Sequence, residues 1–134
     1  GEVRPEMAAE VYRLVDAGYG TAFLTNNAVP FDELAGMLPT GLDELLAAVD
    51  AVVESAVLKM RKPEDAFYRV ALEALAVHPS QVVFLDDLGV NLKPAREMGM
   101  TTIKVGDPQV ALSELRAALT ARPRHEPPPP PATG

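Results

Sequence analysis

The chain has 134 residues, a formal net charge of −7 and a hydrophobic content of 48%, which suits one globular domain with a modest core. The acidic balance argues against nucleic-acid binding, which needs a basic face, and no apolar run reaches the roughly eighteen residues of a membrane span. Because cysteine is absent, disulfides, thiol catalysis and zinc–thiolate sites are excluded. The lack of cysteine and of a signal-peptide pattern favours a cytoplasmic location.

Apolar residues alternate between helical and extended spacing along residues 1–121, which we interpret as one domain. Helices are predicted over 5–17, 31–38, 42–48, 63–76, 91–98 and 108–120, and strands over 21–25, 51–54, 82–86 and 101–105. Gly18 and Gly99 are suitable helix ends. Strands that alternate with amphipathic helices predict an α/β fold, with the four strands in one parallel sheet covered on both faces.

The end of the chain has a different composition. Residues 122–134 contain Pro123 and the proline run 127–131. Proline has no N–H to donate, and no apolar residues accompany this run that could join a core. We therefore expect 122–134 to be a proline-rich disordered tail or linker.

Residues 81–91 contain the strongest chemical signal. An apolar run over 82–85 leads directly into Asp86 and Asp87. Such a strand is buried on both faces, and open parallel sheets place ligand sites at the carboxyl ends of their strands. Two adjacent carboxylates repel each other, and a hard cation such as Mg²⁺ resolves that repulsion. The plainer alternative is a solvated turn in which one aspartate caps the next helix.

Polar side chains also follow other predicted strands. Thr25 and Asn26 end the first strand, and Lys62 begins the helix after the second. Taken singly, they have ordinary explanations as turn residues and a solvated lysine. Because the carboxyl ends of parallel strands share one edge of a sheet, we expect these groups to converge with the carboxylate pair. A hydroxyl, an ammonium and a bound Mg²⁺ together suit a phosphoryl group.

At these residues the sequence resembles the haloacid dehalogenase superfamily of hydrolases, over nearly all of residues 2–121. The nearest resemblance is to the phosphatase-type domain at the front of soluble epoxide hydrolases and in acyl-CoA dehydrogenase fusion proteins. Residues 22–27 resemble the family's second motif, 62–64 the third and 82–100 the fourth, which is the most specific. The resemblance implies a Rossmann-like fold and a parent enzyme that hydrolyses phosphate monoesters with Mg²⁺ through an aspartyl-phosphate.

The resemblance also implies a role for each matching side chain. The phosphoryl group would be bound by Thr25, Asn26 and Lys62. Mg²⁺ would be bound directly by Asp87, with support from Asp86 and Asn91. Lys62 is the catalytic residue among them, because it would stabilise the transferred group and the neighbouring carboxylates.

The sequence departs from the family's pattern in three respects. The first motif, Asp-x-Asp-x-Thr, supplies the nucleophile and the acid/base, yet no two aspartates here are separated by one residue. The cap that lies between the first and second motifs is missing as well. In addition, Lys59 stands where the subfamily often has glycine. We therefore expect a core without its nucleophile strand and cap, which shows no phosphatase turnover by itself.

In the family the missing strand lies between the strand ending at Thr25 and the strand ending at Asp86. Its loss leaves two ladders of main-chain hydrogen bonds unmade. We expect the two strands to close on each other, with acceptance of a strand from another chain as the alternative. We also expect a marginally stable chain that self-associates. Gly1 in place of methionine suggests a piece of a longer protein.

Two other functions stay open. A non-catalytic interaction module of a multidomain protein, attached to a fusion partner domain, would account for the missing first motif. A phospho-receiver domain also places acidic residues, a threonine and a lysine around Mg²⁺. In a receiver the acidic pair comes first, whereas here Thr25 and Lys62 precede Asp86, which makes this alternative the weaker one. The substrate is open, because the cap usually selects it.

Overall fold

The structure is a computed structural model that describes residues 4–121. The predicted tail over 122–134 lies outside these residues. Along the described part of the chain, helices and strands alternate in the order α1 (Pro5–Asp16), β1 (Ala22–Thr25), α2 (Leu42–Ala48), β2 (Ala51–Glu54), α3 (Ser55–Leu58), α4 (Asp65–Leu75), β3 (Val83–Asp86), α5 (Gly89–Met98), β4 (Thr101–Lys104) and α6 (Pro108–Thr120). Short 3₁₀ turns cover Phe31–Leu34 and Pro79–Gln81.

The element boundaries follow from local chemistry. Helix α1 begins at Pro5, whose missing N–H costs nothing in a first turn, and Gly18 follows its end with a φ of +89°. Helix α6 begins after Asp107, whose side chain accepts a hydrogen bond of 2.8 Å from Gln109 N–H. These caps explain why both helices lie close to their predicted ranges.

The α/β class is confirmed, but the single sheet is not. Strand β1 pairs in parallel with β2, and β3 pairs in parallel with β4. Within residues 4–121 the strands form two separate two-stranded sheets, so β1 and β3 do not pair. The expected closure is therefore wrong. The fully buried Tyr68 of α4 belongs to a core cluster against which Leu24 of β1 and Phe84 of β3 both pack, so the two pairs share a core without pairing with each other.

The helices pack on the two strand pairs through three core clusters. On one face, α4 packs on the first pair through Phe67 and Ala71 against Val53, and α5 packs beside it through Ala95. On the other face, α6 packs on the second pair through a cluster of Ile103, Ala111 and Leu115, which Leu14 of α1 also contacts. Helix α1 packs against both α2 and α6. The second pair is thus covered on both faces, like part of a parallel α/β sheet, and α4 covers the first pair.

One local prediction was wrong, and one short helix was missed. The helix predicted over 31–38 is only the 3₁₀ turn Phe31–Leu34, because Gly36 adopts a φ of +81° and Pro39 follows shortly. Helix α3 was not predicted, because four residues are too few to show a helical period. None of the helices in the described part of the chain has the length and apolar character that crossing a membrane requires.

Candidate active site

An ion pair between Lys62 and Asp86 occupies the carboxyl ends of the strands. Lys62 lies in the loop before α4, and its Nζ is 2.8 Å from Oδ2 of Asp86, the last residue of β3. The two side chains are 11% and 5% exposed, so the pair is shielded from water. The predicted convergence of the lysine with the acidic pair is therefore present, and it is made by the first of the two aspartates.

Asn26 fixes the main chain of Lys62. Its Oδ1 accepts from Lys62 N–H at 2.8 Å, and its Nδ2 donates to Lys62 C=O at 3.1 Å. The amide side chain thus joins the end of β1 to the loop that presents the ammonium group. Thr25 ends β1 beside it and is half-buried. The phosphate-binding roles of Thr25 and Asn26 stay predictions. The oxygen and the nitrogen of the Asn26 side-chain amide are both already hydrogen-bonded to the main chain of Lys62.

The Asp86 carboxylate is held from several sides. Besides the Lys62 ammonium, Oδ1 accepts from Leu88 N–H at 2.9 Å, and Nδ2 of the buried Asn91 lies 3.3 and 3.4 Å from its two oxygens. Burial, the largest single influence, would raise the pKa of Asp86, but these donors together hold that pKa below its ordinary value. Asp86 is therefore a charged anchor at neutral pH.

Asp87, unlike Asp86, is neither buried nor bonded to other side chains or main-chain groups within the described part of the chain. Its side chain is exposed, and no hydrogen bond or ion pair of Asp87 occurs among residues 4–121. No group of three acidic or histidine side chains that could hold a metal is present in the described residues. A free carboxylate next to a paired one fits Mg²⁺, which usually takes one or two protein carboxylates and completes its shell with water and phosphate. The metal-binding roles of Asp87, Asp86 and Asn91 stay predictions.

A second network, which the sequence analysis missed, shapes the loop after β1. Asn27 Oδ1 accepts from Ala56 N–H at 3.0 Å, and Asn27 Nδ2 donates to Glu54 Oε1 at 3.0 Å. Ser55 Oγ accepts from Asn27 N–H at 2.8 Å and donates to Asn27 C=O at 2.9 Å. The sequence could have indicated this network, because Asn27 and Ser55 both lie just after the carboxyl ends of strands that pair with each other. We interpret this network as the support for the main chain around Asn26.

Tyr68 was missed for a different reason. Its hydroxyl donates to the backbone carbonyl oxygen of Asn91 at 2.6 Å, and its ring meets the Phe84 ring edge-on with centroids 5.5 Å apart. Burial, followed by the nearby charges of Asp86 and Asp65, raises the pKa of Tyr68 to about 12. Tyr68 therefore stays a neutral hydrogen-bond donor that fixes the first turn of α5. An aromatic residue at this helix position has no local signal that distinguishes it from a simple core residue.

Lys59 ends α3 in a conformation that glycine usually adopts. Its φ of +60° lies in the left-handed region, and its N–H donates to Ser55 C=O at 3.0 Å. Lysine in place of the subfamily's usual glycine therefore leaves the turn intact, because it adopts the same left-handed backbone conformation, although at some conformational cost.

Comparison with known proteins identifies the family. Residues 1–99 match the model of the haloacid dehalogenase-like hydrolases. The chain is 42% identical over 112 residues to bifunctional epoxide hydrolase 2 of Rattus norvegicus, and 39% identical over 115 residues to acyl-CoA dehydrogenase family member 10 of Mus musculus. The chain therefore belongs to the haloacid dehalogenase-like hydrolases, and the resemblance stated from its motifs is confirmed.

Coverage limits what these relatives say about the whole protein. The matched segments make up 84% and 86% of this chain, but only 20% and 10% of the two relatives. Among solved structures, a HAD family enzyme of Bacteroides thetaiotaomicron, in complex with magnesium and inorganic phosphate, matches with a TM-score of 0.65 and 20% identity. That match covers 81% of this chain and 55% of the other, and it supports the fold.

Proposed function

We propose that this chain is the phosphate- and Mg²⁺-holding part of a phosphatase that acts on phosphate monoesters. The observation that carries the proposal is the shielded Lys62–Asp86 pair at the carboxyl ends of the strands, beside the unpaired carboxylate of Asp87. A buried ion pair is costly and adds little stability over an apolar pair, so a role in chemistry is a good reason to have one.

The side chains have distinct tasks in this proposal. Asp87 would hold Mg²⁺, and Asp86 and Asn91 would keep the strand end in position through their mutual contact. Lys62 has one of its three donors on Asp86, which leaves two for the oxygens of a phosphoryl group. When bound, Mg²⁺ would neutralise charge on the same phosphoryl oxygens. The magnesium and phosphate bound by the Bacteroides enzyme support this choice of ligands.

Catalytic turnover requires a nucleophile that these residues do not provide. Thr25 and Lys62 can bind and stabilise a phosphoryl group, but an aspartyl-phosphate needs an aspartate at the reacting phosphorus. Binding and electrostatics without the nucleophile leave about 10³- to 10⁴-fold acceleration in well-studied hydrolases, too little to detect with phosphate monoesters. The 134-residue protein should therefore bind ligands without hydrolysing them. A cytoplasmic location belongs to the same proposal and rests on the cysteine-free composition.

The test measures binding and turnover on the same purified protein. Mg²⁺ titration followed by amide NMR should shift the signals of residues 86–90, and Asp87→Asn should remove the shifts. Asp43→Asn, which changes an exposed carboxylate on α2, is the matched control and should leave them unchanged. Mg²⁺ shifts that survive Asp87→Asn would contradict the metal role. Turnover of an aryl phosphate that Asp87→Asn abolishes would show that a nucleophile is present after all.

A non-catalytic module of a larger protein is the second candidate. It is favoured by the absence of an Asp-x-Asp pair from the sequence and by relatives that are much longer proteins. The Mg²⁺ titration also separates the two candidates. A purely structural module has no reason to present Asp87 to a metal, so the absence of any Mg²⁺ response would favour it.

A further inference from the structure

We propose that the cleft between the carboxyl ends of α1 and α6 binds a small organic monocarboxylate through the guanidinium groups of Arg13 and Arg116. The cleft has a volume of about 530 Å³ and is lined by Arg13, Tyr19, Arg116, Leu119 and Thr120. The proposed function assigns no task to these residues, and the inference does not depend on it. The cleft would be a second ligand site of the protein.

The cleft lies at the amino ends of the strands, opposite the Lys62–Asp86 pair. Helix α1 and Tyr19 precede β1, so they end where that strand begins. Helix α6 follows the carboxyl end of β4 and packs back along β3 and β4, so its last turn lies at the amino ends as well. Because a four-residue strand is about 13 Å long, a ligand in this cleft is well separated from the ion pair.

A buried carboxylate holds the two guanidinium groups side by side. Glu10 of α1 is 4% exposed, and its Oε1 accepts from Arg13 Nε at 3.0 Å while its Oε2 accepts from Arg116 Nη2 at 2.9 Å. The arginine side chains are 51% and 61% exposed, so both meet solvent at the cleft. Glu10 therefore fixes two cationic forks at one surface, one from each helix.

Both arginines keep donors that Glu10 does not use. A guanidinium has five N–H donors, and Glu10 accepts from Nε and Nη2 of Arg13 but only from Nη2 of Arg116. Within residues 4–121, no carboxylate other than Glu10 forms an ion pair with either arginine. The hydroxyl of Thr120 donates to Arg116 C=O at 2.8 Å, so its proton is already engaged. An anion in the cleft would therefore be bound by the arginines.

The charge of the cluster selects the class of anion. The hydrogen bond from Arg13, the largest influence, holds the pKa of Glu10 below its ordinary value of 4.5 against the effect of burial, so Glu10 is charged at neutral pH. Two guanidinium groups and one carboxylate leave a net positive charge of one. A monoanion neutralises that charge, whereas a phosphate dianion would exceed it. A planar carboxylate also matches the guanidinium fork, which binds it through two parallel hydrogen bonds.

Apolar side chains define the body of the ligand. Leu119 and Tyr19, both half-buried, line the same cleft as the arginines. An aromatic group would remove this apolar surface from water and offer its ring face to a guanidinium. The volume lies within the roughly 300–1,000 Å³ that is usual for small-molecule sites. An aryl carboxylate therefore suits the cleft, with its charge on the arginines and its ring on Tyr19 and Leu119.

The test titrates benzoate into the purified protein and follows the NMR signals. The Nε–H signals of Arg13 and Arg116 and the amide of Leu119 should shift and saturate together, because one ligand contacts all three. Benzamide has the same shape without the charge and should cause no shifts at the same concentrations. Acetate lacks the ring and should bind at least about tenfold more weakly than benzoate. The signals of residues 86–90 should not change.

Matched variants locate the contact. Arg116→Gln should weaken benzoate binding by at least about tenfold, since it removes charge-assisted hydrogen bonds. Arg116→Lys keeps the charge but loses the fork, and it should also weaken binding. Arg69→Gln, which changes an exposed arginine on α4, is the control and should leave binding unchanged. The comparison of benzoate with benzamide on the unmodified protein decides the matter even where a variant does not fold.

Each other outcome overturns the proposal. The absence of saturable shifts at Arg13 and Arg116, or equal shifts with benzamide, would mean that the cleft does not bind a carboxylate. Equal shifts at Arg69 Nε–H would show general attraction to guanidinium groups.

Two further outcomes would assign the cleft to a different occupant. Saturation by inorganic phosphate at lower concentrations than benzoate would show a phosphate site. Shifts of the same signals with rising protein concentration and no benzoate would show that a second copy fills the cleft. The Mg²⁺ titration tests the proposed function separately, because the cleft uses neither Asp87 nor a metal.

Discussion

The β1–β2 pair and the β3–β4 pair are both parallel and equally long, but polar groups at their carboxyl ends are held differently. After β1 and β2, the neutral side chains of Asn26, Asn27 and Ser55 bind main-chain groups of neighbouring loops. After β3, the buried carboxylate of Asp86 gathers an ammonium group, a side-chain amide and a backbone N–H. The first pair thus depends mainly on hydrogen bonds made by amide and hydroxyl side chains, with Glu54 as the one carboxylate among these bonds, and the second depends on a buried ion pair.

This difference explains the division of labour at the site. Neutral amides shape a loop without the cost of a buried charge, and in the proposed function the main-chain donors of that loop would face the phosphoryl group. A buried carboxylate must be compensated, and Lys62 compensates Asp86 from a loop that Asn26 holds. Lys62 is therefore the point at which the two pairs depend on each other at this edge. The following predictions separate the pairs, beginning with the largest effect.

Lys62→Met should cause the largest loss, lowering the free energy of unfolding by about 3 kcal/mol, because it leaves the buried charge of Asp86 without its counter-ion. Urea unfolding measures the loss. Asp86→Asn in the Lys62→Met background should recover much of it, since no buried charge then remains. Equal stability of the single and double variants would show that the two strand pairs do not depend on this ion pair.

Asn27→Ala should lower the free energy of unfolding by about 2 kcal/mol and affect the first pair alone. The variant leaves Ala56 N–H and Glu54 Oε1 without their Asn27 partner. Amide hydrogen exchange should become faster over residues 26–31 and unchanged over 86–91. Faster exchange in both regions would mean that the pairs respond as one unit, contrary to the comparison above.

Glu10→Gln should lower the free energy of unfolding by about 1–2 kcal/mol at pH 7. Glu10 of α1 is buried and bonds to Arg13 and, at 2.9 Å, to Arg116 of α6, so it ties α1 to the second pair. The hydrogen bond from Arg13, the largest influence, holds the pKa of Glu10 below its ordinary value of 4.5; burial opposes it and Arg116 assists it.

The pH dependence of this effect has a definite sign. A depressed folded-state pKa means that the stabilisation is fully present above pH 4.5 and is lost as the pH falls through the folded-state value. The stability difference between Glu10→Gln and the unmodified protein should therefore shrink in acid. Urea unfolding at several pH values between neutral and about 3 checks this. A difference that stays constant with pH would mean that the Glu10 charge does not contribute.

Lys59→Gly should have the smallest effect, a gain of about 0.5–1 kcal/mol in the free energy of unfolding. Glycine relieves the left-handed φ of +60° at the end of α3, although it also increases the freedom of the unfolded state. Lys59→Ala is the control, because it removes the charge and keeps the Cβ atom. A gain with alanine as large as that with glycine would assign the effect to charge rather than to backbone conformation.

The sequence by itself determined the class of fold, the family and the residues that meet at the strand ends. Helices α1 and α6 have a strong helical period, and local residues mark their boundaries: Gly18 follows the end of α1, and Asp107 caps the start of α6. The motif residues Lys62 and Asp86 follow strands, and parallel strands share an edge, so their meeting follows from order along the sequence. Short elements such as α3 lack that local information.

Only the tertiary structure decided which contacts the site uses and whether the sheet is continuous. Sequence order alone does not show that Lys62 pairs with Asp86 and leaves Asp87 exposed, because both aspartates follow the same apolar run and only the fold decides which of them meets the lysine. Nor does it show that β1 and β3 stay apart. The cluster around Tyr68, which Leu24 and Phe84 both contact, joins residues far apart along the chain, and the spacing of neighbouring residues does not predict such packing.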